Sequence, residues 1–356
     1  MRAVVIGAGI MGAAVAHHLA RAGASVQIVE AGRPSRGATG VTFSRLSAFD
    51  KEPHDYFRLN GAGMDEHARL ASETPLANWY HPCGSVLLSD DECELTRRAE
   101  RYQSWGYPLA WRSGTRLGPV ARLPGRVLHA PAEGWVNAVT LTRHLLELAS
   151  RHGAVVRPET PVIGLARGGT SWTVTTAGGR VLSADVVVNA AGQGAPAIAA
   201  RAGTSLTLAR SPGLLLTVAI PGETLRHIVH SPEVSLRPDG PGRVLIRSST
   251  VDRRLDDGTD LRDLTHDLLM RAARVLPRLG HAAVVRPRIG QRVVPAGGLP
   301  SIGAVRGLPG YHEAVSHNGI VLAPLVGRLL AEEIITGRPH PGLEPFRPRG
   351  QGPAAA

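Results

Sequence analysis

The sequence predicts an α/β protein: a parallel-sheet domain interrupted by, and resumed after, a second domain built on a mixed, largely antiparallel sheet. Three observations carry this reading. The chain opens strand, glycine turn, helix, Val4-Val5-Ile6-Gly7-Ala8-Gly9-Ile10-Met11-Gly12, and a second apolar run, Val26-Gln27-Ile28-Val29, closes on Glu30. A buried strand, Asp185-Val186-Val187-Val188-Asn189, runs into another glycine turn, Ala190-Ala191-Gly192. Residues 206–250 instead read as antiparallel strands, Leu214 to Ile220, Val234 to Leu236 and Val244 to Ser248. At 356 residues there is room for two domains of ordinary size.

The opening motif has a mechanical reading. Gly7 permits the tight turn, Gly9 lets backbone approach a pyrophosphate, and Gly12 lets the helix lie close on the sheet. The helix N-terminus offers free N–H groups and a positive dipole end to phosphate. Glu30, at the end of the second strand, can accept hydrogen bonds from ribose hydroxyls. Together these parts predict a Rossmann-like dinucleotide site. The second glycine turn lacks the full fingerprint and a following acidic strand, which argues against a second nucleotide.

The other elements follow in order. Residues 10–22 form an Ala-rich helix that stops at Gly23. Arg33 to Gly40 is a turn of small residues, Arg58 to Ala71 a helix, and Cys83 to Leu88 a strand. Leu141 to His152 is a helix ended by Gly153, followed by strands at 155–156, 172–175 and 181–182. Leu261 to Leu276 is an amphipathic helix with Leu261, Leu264, Leu268, Ala272 and Val275 on one face, ended by Pro277. The last helix is expected to begin near Pro324, a favourable first position, and to run to Ile335 before Gly337. From Arg338 onward Pro, Gly and Ala dominate, so residues 341–356 read as a loose tail. The expected division is residues 1–82, 136–205 and 286–340 for the nucleotide domain, and 83–135 and 206–285 for the substrate domain.

Composition narrows the function classes. Cys83 and Cys93 are the only cysteines, too few for a disulfide framework or a thiolate metal cluster, and no metal site is expected. No apolar stretch is long enough to span a bilayer, and Arg2 followed at once by a strand does not read as a signal peptide, so a cytoplasmic location is expected. The net charge of +11 comes from 40 basic against 29 acidic residues, and Lys51 is the only lysine. The arginines are scattered singly or in pairs, as in a GC-rich coding bias, rather than in runs interleaved with aromatics. Nucleic acid is therefore not an expected partner.

The order of motifs resembles the D-amino-acid oxidase superfamily of FAD enzymes, within it the glycine oxidase and sarcosine oxidase branch. Four blocks carry the resemblance: Gly7 to Glu30; Gly37-Ala38-Thr39-Gly40 with Ser44-Arg45 beyond; Val188-Asn189-Ala190-Ala191-Gly192; and a C-terminal pair. That pair is Gly290-Gln291-Arg292-Val293-Val294-Pro295 leading to Leu299-Pro300-Ser301-Ile302-Gly303, then His317-Asn318-Gly319-Ile320-Val321-Leu322-Ala323-Pro324. The resemblance implies non-covalent FAD held by Gly7, Gly9, Ile10, Met11, Gly12, Glu30, Ala31, Thr42, Ser44, Arg45, Val162, Ala190, Ala191, Gly192, Arg292, Asn318, Gly319, Ile320 and Val321. It implies that Arg292 clamps a substrate carboxylate, since a guanidinium fork matches a carboxylate and stays charged when buried. It also places a helix N-terminus at the flavin pyrimidine, where reduced flavin carries negative charge. His317 borders flavin and substrate. Hydride transfer to flavin needs alignment rather than a dedicated acid or base, so no catalytic triad is expected.

Departures from the branch shape the expected substrate. No Phe, Trp or Tyr occurs between Trp172 and Tyr311. Relatives in the branch place a tyrosine where Ser235 stands here, a larger apolar residue at Thr250 and a small residue at Arg247. A pocket without that aromatic lid is expected to admit an N-substituted glycine, releasing glyoxylate and a free amine, with dioxygen as electron acceptor. The cysteine that tethers flavin in sarcosine oxidases has no counterpart. Lys51 falls outside the segments expected to form the pocket, leaving no lysine there to activate oxygen. Three other readings stay open: an FAD-dependent D-amino-acid dehydrogenase that uses another carrier, a nicotinamide dehydrogenase, and a flavoprotein without enzymatic activity. Each is separable by spectrum and oxygen uptake.

Overall fold

The computed structural model describes residues 1–114, 125–220, 225–255, 258 and 260–349. Its first sheet has six strands, in the order Ser301–Ala304, Tyr311–Val315, Val186–Asn189, Arg2–Ile6, Ser25–Val29 and Val155–Arg157. All neighbours are parallel except the edge strand Ser301–Ala304. The central strands are apolar on both faces because both are covered. On one side lie the helices Ile10–Arg21, Ala138–Arg151 and Gly319–Thr336. On the other, the meander Val162–Gly168, Ser171–Thr176 and Val181–Ala184 packs Trp172, Val174 and Leu182 on Val4, Ile6 and Val187.

Small side chains allow the first helix to sit deep in this layer. A Cβ at Gly327 would lie 2.6 Å from the carbonyl carbon of Ala14, so the first and last helices touch almost backbone to backbone. That contact holds together two ends of the chain that both feed the nucleotide site.

The second sheet has eight strands, ordered Ala283–Gln291, Pro212–Ala219, Arg243–Arg247, Ser235–Pro238, Ile228–His230, Ser85–Leu87, Arg126–Ala130 and Ala110–Ser113. It is antiparallel apart from the pairing of Ile228–His230 with Ser85–Leu87. Leu214, Leu216, Leu236 and Ile246 on one face meet Leu264, Leu268, Ala272 and Val275 of the helix Leu261–Val275. The opposite face is turned to the first domain. The α/β class, with its parallel sheet and its largely antiparallel partner, is the one expected. The expected division at 285/286 falls inside the strand Ala283–Gln291, at the edge of the eight-stranded sheet.

Two terminal features differ from expectation. The last helix begins at Gly319, five residues before Pro324, which is buried inside it. Pro324 has no N–H for the carbonyl of Ile320, and that oxygen instead accepts from Nε2 of buried His67, at 2.8 Å. Burial holds His67 neutral, lowering its pKa to about 4. A side chain on another helix thus supplies the bond that the proline removes. The tail is not loose as far as residue 349. Pro341–Phe346 form a 3-10 turn that buries Leu343 and Phe346, and Arg347 pairs with buried Glu333 at 2.7 Å. Two apolar anchors outweigh the local Pro and Gly content. Residues 350–356 lie outside the described residues.

Candidate active site

The glycine turn is built as its sequence requires. Gly7 has a φ of 108°, and a Cβ there would strike the carbonyl of Ala190 in the adjacent strand's turn. A Cβ on Gly12 would strike the carbonyl oxygen of Gly7. Glu30 accepts from the backbone N–H of Ala8 at 2.8 Å and of Gly32 at 2.9 Å. Its carboxylate therefore ties the turn to the end of the second strand, and Glu30 lines the cavity. Thr39 reaches across to accept from the N–H of Ile10 at 3.1 Å, fixing the turn of small residues against the helix start.

These groups line one end of a continuous cavity of about 870 Å³. Ala190, Ala191 and Gly192 form one side, and Gly319, Ile320 and Val321 another. The last three are the first turn of a helix, whose N–H groups have no partner within the helix. Asn318, just before them, is held by its side chain, which donates to Oδ1 of buried Asn60 at 2.6 Å. The cradle fits FAD: collision-free glycines at a helix N-terminus for the pyrophosphate, Glu30 for the ribose, and a second helix N-terminus for the flavin. Neither cysteine lines the cavity.

The other end is cationic. Arg292, just past the strand Ala283–Gln291, pairs with the buried carboxylate of Asp252, and its Nη1 donates to Ser211 at 3.2 Å. Gly213 makes the room: a Cβ there would stand 2.5 Å from Nη2 of Arg292. Arg247 lies beside it, its guanidinium carbon 5.9 Å from the centre of the Phe43 ring. His230, Ser235 and Arg247 form a row across three adjacent strands, with His230 opposite Ser235 and Ser235 opposite Arg247. Nδ1 of His230 meets the Ser235 hydroxyl at 2.8 Å. Burial, together with Arg45, Arg247 and Lys51, holds His230 neutral, well below the ordinary histidine range. Burial, Lys51, Arg292 and Arg247 likewise lower His317 to about 4.

Most of the expected site residues meet in this cavity: Gly7, Gly9, Ile10, Met11, Glu30, Thr42, Ser44, Arg45, Ala190, Ala191, Gly192, Arg247, Arg292, His317, Asn318, Gly319, Ile320 and Val321 all line it. Gly12 packs beneath it. Ala31 and Val162 do not line it; Val162 is in the core with Trp172 and Val174. Ser235 and Thr250 do not line it either. Ser235 is buried behind His230, while Thr250, on the short helix Ser249–Asp252, accepts from Arg253 at 3.3 Å.

Lys51 requires a correction, because it lines the cavity. Asp50, beside it, is left-handed, with a φ of 61°, which no residue pattern announces. Burial and Arg45 lower its pKa to about 8. The cavity also has aromatic walls, Phe43 and Phe49, supplied by the N-terminal segment rather than by the substrate sheet. His230, Asp252 and Gln193 were not legible as site residues. The signal for Lys51 was its singularity among 40 basic residues.

Comparison with known proteins agrees with this geometry. A family model described as FAD dependent oxidoreductase matches residues 2–333. The chain is 28% identical to a glycine oxidase of Geobacillus kaustophilus, over 96% of this chain and 95% of that one. It is 24% identical to one of the subunits of an opine oxidase of Agrobacterium tumefaciens, over 97% and 96%. The crystal structure of the Geobacillus kaustophilus glycine oxidase superposes with a TM-score of 0.86 at 26% identity, covering 97% of this chain and 98% of that one. Among the described residues no helix is long and apolar enough to cross a membrane.

Proposed function

The chain belongs to the family of FAD-dependent oxidoreductases and is glycine oxidase-like, and from that premise we propose that it oxidises N-substituted glycines with dioxygen as acceptor. The overall reaction is R–NH–CH2–COO⁻ + O2 + H2O → R–NH2 + OHC–COO⁻ + H2O2. The observation that carries this reading is the position of Arg292. It opens on the same cavity as His317 and the first turn Gly319-Ile320-Val321.

FAD, when bound, supplies the hydride acceptor. Arg292 holds the glycine carboxylate with a charge-assisted, two-pronged contact and so fixes which face of the methylene is presented. Asp252 and Ser211 hold the guanidinium in place before substrate arrives. The first-turn amides of Gly319 to Val321 stabilise negative charge that develops at their end of the cavity. His317, neutral at pH 7, can accept the amine N–H without adding a further positive charge. Two features support a secondary amine. The substrate-sheet wall beside Arg292 is Gly213 and Leu215 rather than an aromatic ring, and one relative belongs to an opine oxidase.

The test is an absorbance spectrum before and after anaerobic addition of sarcosine or a longer N-alkylglycine. Bleaching of the flavin bands by these, with peroxide formed on readmitting air, is the expected result. A flavin that bleaches only with D-amino acids, or that yields no peroxide, overturns the assignment in favour of a dehydrogenase.

A further inference from the structure

The cavity carries more positive charge than one substrate carboxylate accounts for. Five cations line it: Arg45, Lys51, Arg98, Arg247 and Arg292. Three of them have carboxylate partners: Arg45 with Glu133, Arg98 with Asp50, and Arg292 with Asp252. Lys51 and Arg247 have no carboxylate within 4.0 Å among the described residues. Lys51 makes no hydrogen bond to them, while Arg247 makes one, from Nη2 to the hydroxyl of Ser249 at 2.9 Å. Nε of Arg247 is buried without a partner.

Uncompensated charge in a part-buried site is unfavourable, and it is retained where a ligand completes the pairing. The glycine turn that would hold the FAD pyrophosphate offers backbone N–H groups, whereas the lining cations Arg45, Lys51, Arg247 and Arg292 lie close enough to act on one another's charge. The row His230–Ser235–Arg247 shows how the site is built for an anion. The Ser235 hydroxyl occupies Nδ1 of His230, and its strand position opposite Arg247 keeps a small residue under that guanidinium. Phe43 covers the flat side of the same guanidinium.

We propose that Arg247 and Lys51 form a second anion subsite in this cavity, so that the substrate is a dianionic secondary amine: an N-substituted glycine whose substituent ends in a carboxylate. This rests on the function proposed above and names its substrate class. Arg292 takes the carboxylate of the arm to be oxidised, and Arg247 with Lys51 takes the carboxylate of the arm that leaves. FAD, when bound, would supply the acceptor for the hydride of the first arm, while the amine nitrogen's lone pair forms the C=N bond and its N–H proton is released. Water then adds and splits the imine to glyoxylate and an amino acid. Dioxygen is the final acceptor of those two electrons and, with the hydride's hydrogen and the released proton, gives hydrogen peroxide.

The experiment uses the holoenzyme and two unreactive thioethers, thiodiacetate with two carboxylates and methylthioacetate with one, titrated by calorimetry. Thiodiacetate is expected to bind at least about 30-fold more tightly, and R247M and K51M each to narrow that ratio at least about 10-fold. K51R is expected to restore most of it. In parallel, kcat/KM for iminodiacetate is expected to exceed that for sarcosine by at least about 10-fold. Equal binding of the two thioethers to the unmodified enzyme overturns the subsite, whatever amines are oxidised and whether or not the variants fold. A preference for thiodiacetate that survives both substitutions also overturns it. Preferred binding of thiodiacetate with no oxidation of any N-substituted glycine keeps the subsite and overturns the function proposed above.

Discussion

Replacing Gly213 by alanine isolates the position of Arg292 from its charge. Gly213 lies in the strand Pro212–Ala219, so alanine there needs no unusual backbone conformation, and its Cβ would stand 2.5 Å from Nη2, 3.0 Å from Cζ and 3.2 Å from Nε of Arg292. The obstacle is the far end of a flexible side chain, so the guanidinium gives way and the strand stays. Arg292 then loses its seat against Asp252 and Ser211 and its alignment for substrate. A charge-assisted hydrogen bond contributes about 1.5–3 kcal/mol, so the expected fall in kcat/KM is about 10- to 150-fold. Most of it should appear in KM, because the interaction lost is one made with the bound carboxylate. The assay is oxygen uptake over a substrate range, with the flavin spectrum and the unfolding midpoint as controls. On an Arg292→Leu background the same alanine should change little. A G213A enzyme within about threefold of the parent, with the flavin bound, would refute the assignment of Arg292 as the carboxylate clamp.

Further consequences can be measured independently. Gly12→Ala drives a Cβ into the Gly7 carbonyl; the purified protein should carry much less FAD and lose about 1–3 kcal/mol of stability, read by flavin content and urea unfolding. His67→Leu leaves the Ile320 carbonyl without a donor; a loss of about 1–3 kcal/mol is expected in the same unfolding assay. Phe346→Ala, in the packed turn near the C-terminus, should destabilise by about 3–5 kcal/mol, whereas a loose tail would give no change. Lys51 is charged below its pKa of about 8, lowered first by burial and then by Arg45, and opposed by Asp50 and Glu133, with Arg247 also facing it. Affinity for a dianionic ligand should therefore be steady below pH 8 and fall as pH rises through that value. K51M should abolish the inflection, and a profile that keeps it assigns the titration to another group.

What could be read before folding and what could not divides along a physical line. Gly7, Gly9, Gly12 and Glu30 act within one strand–turn–helix–strand unit, where spacing along the chain fixes spacing in space. The first turn Gly319-Ile320-Val321 is local in the same way, although Pro324 misplaced the helix start, because only a long-range partner, His67, makes a proline tolerable five residues in. Arg292 was legible through its place in a motif, but its anchor Asp252 was not, since the pair forms across 40 residues and two elements. His230 enters through cross-strand register, which the sequence does not state when both strands are short. Lys51 follows a left-handed turn at Asp50 that the sequence pattern does not announce. In a chain that otherwise uses arginine for every basic position, the one lysine faces the cavity and lacks a carboxylate partner among the described residues. Arginine stays charged in any setting, whereas an amine can be brought to the edge of neutrality by burial. A site that needs both a permanent cation and a titratable one would hold Arg247 and Lys51 in one cavity, and the pH profile of anion binding separates their contributions.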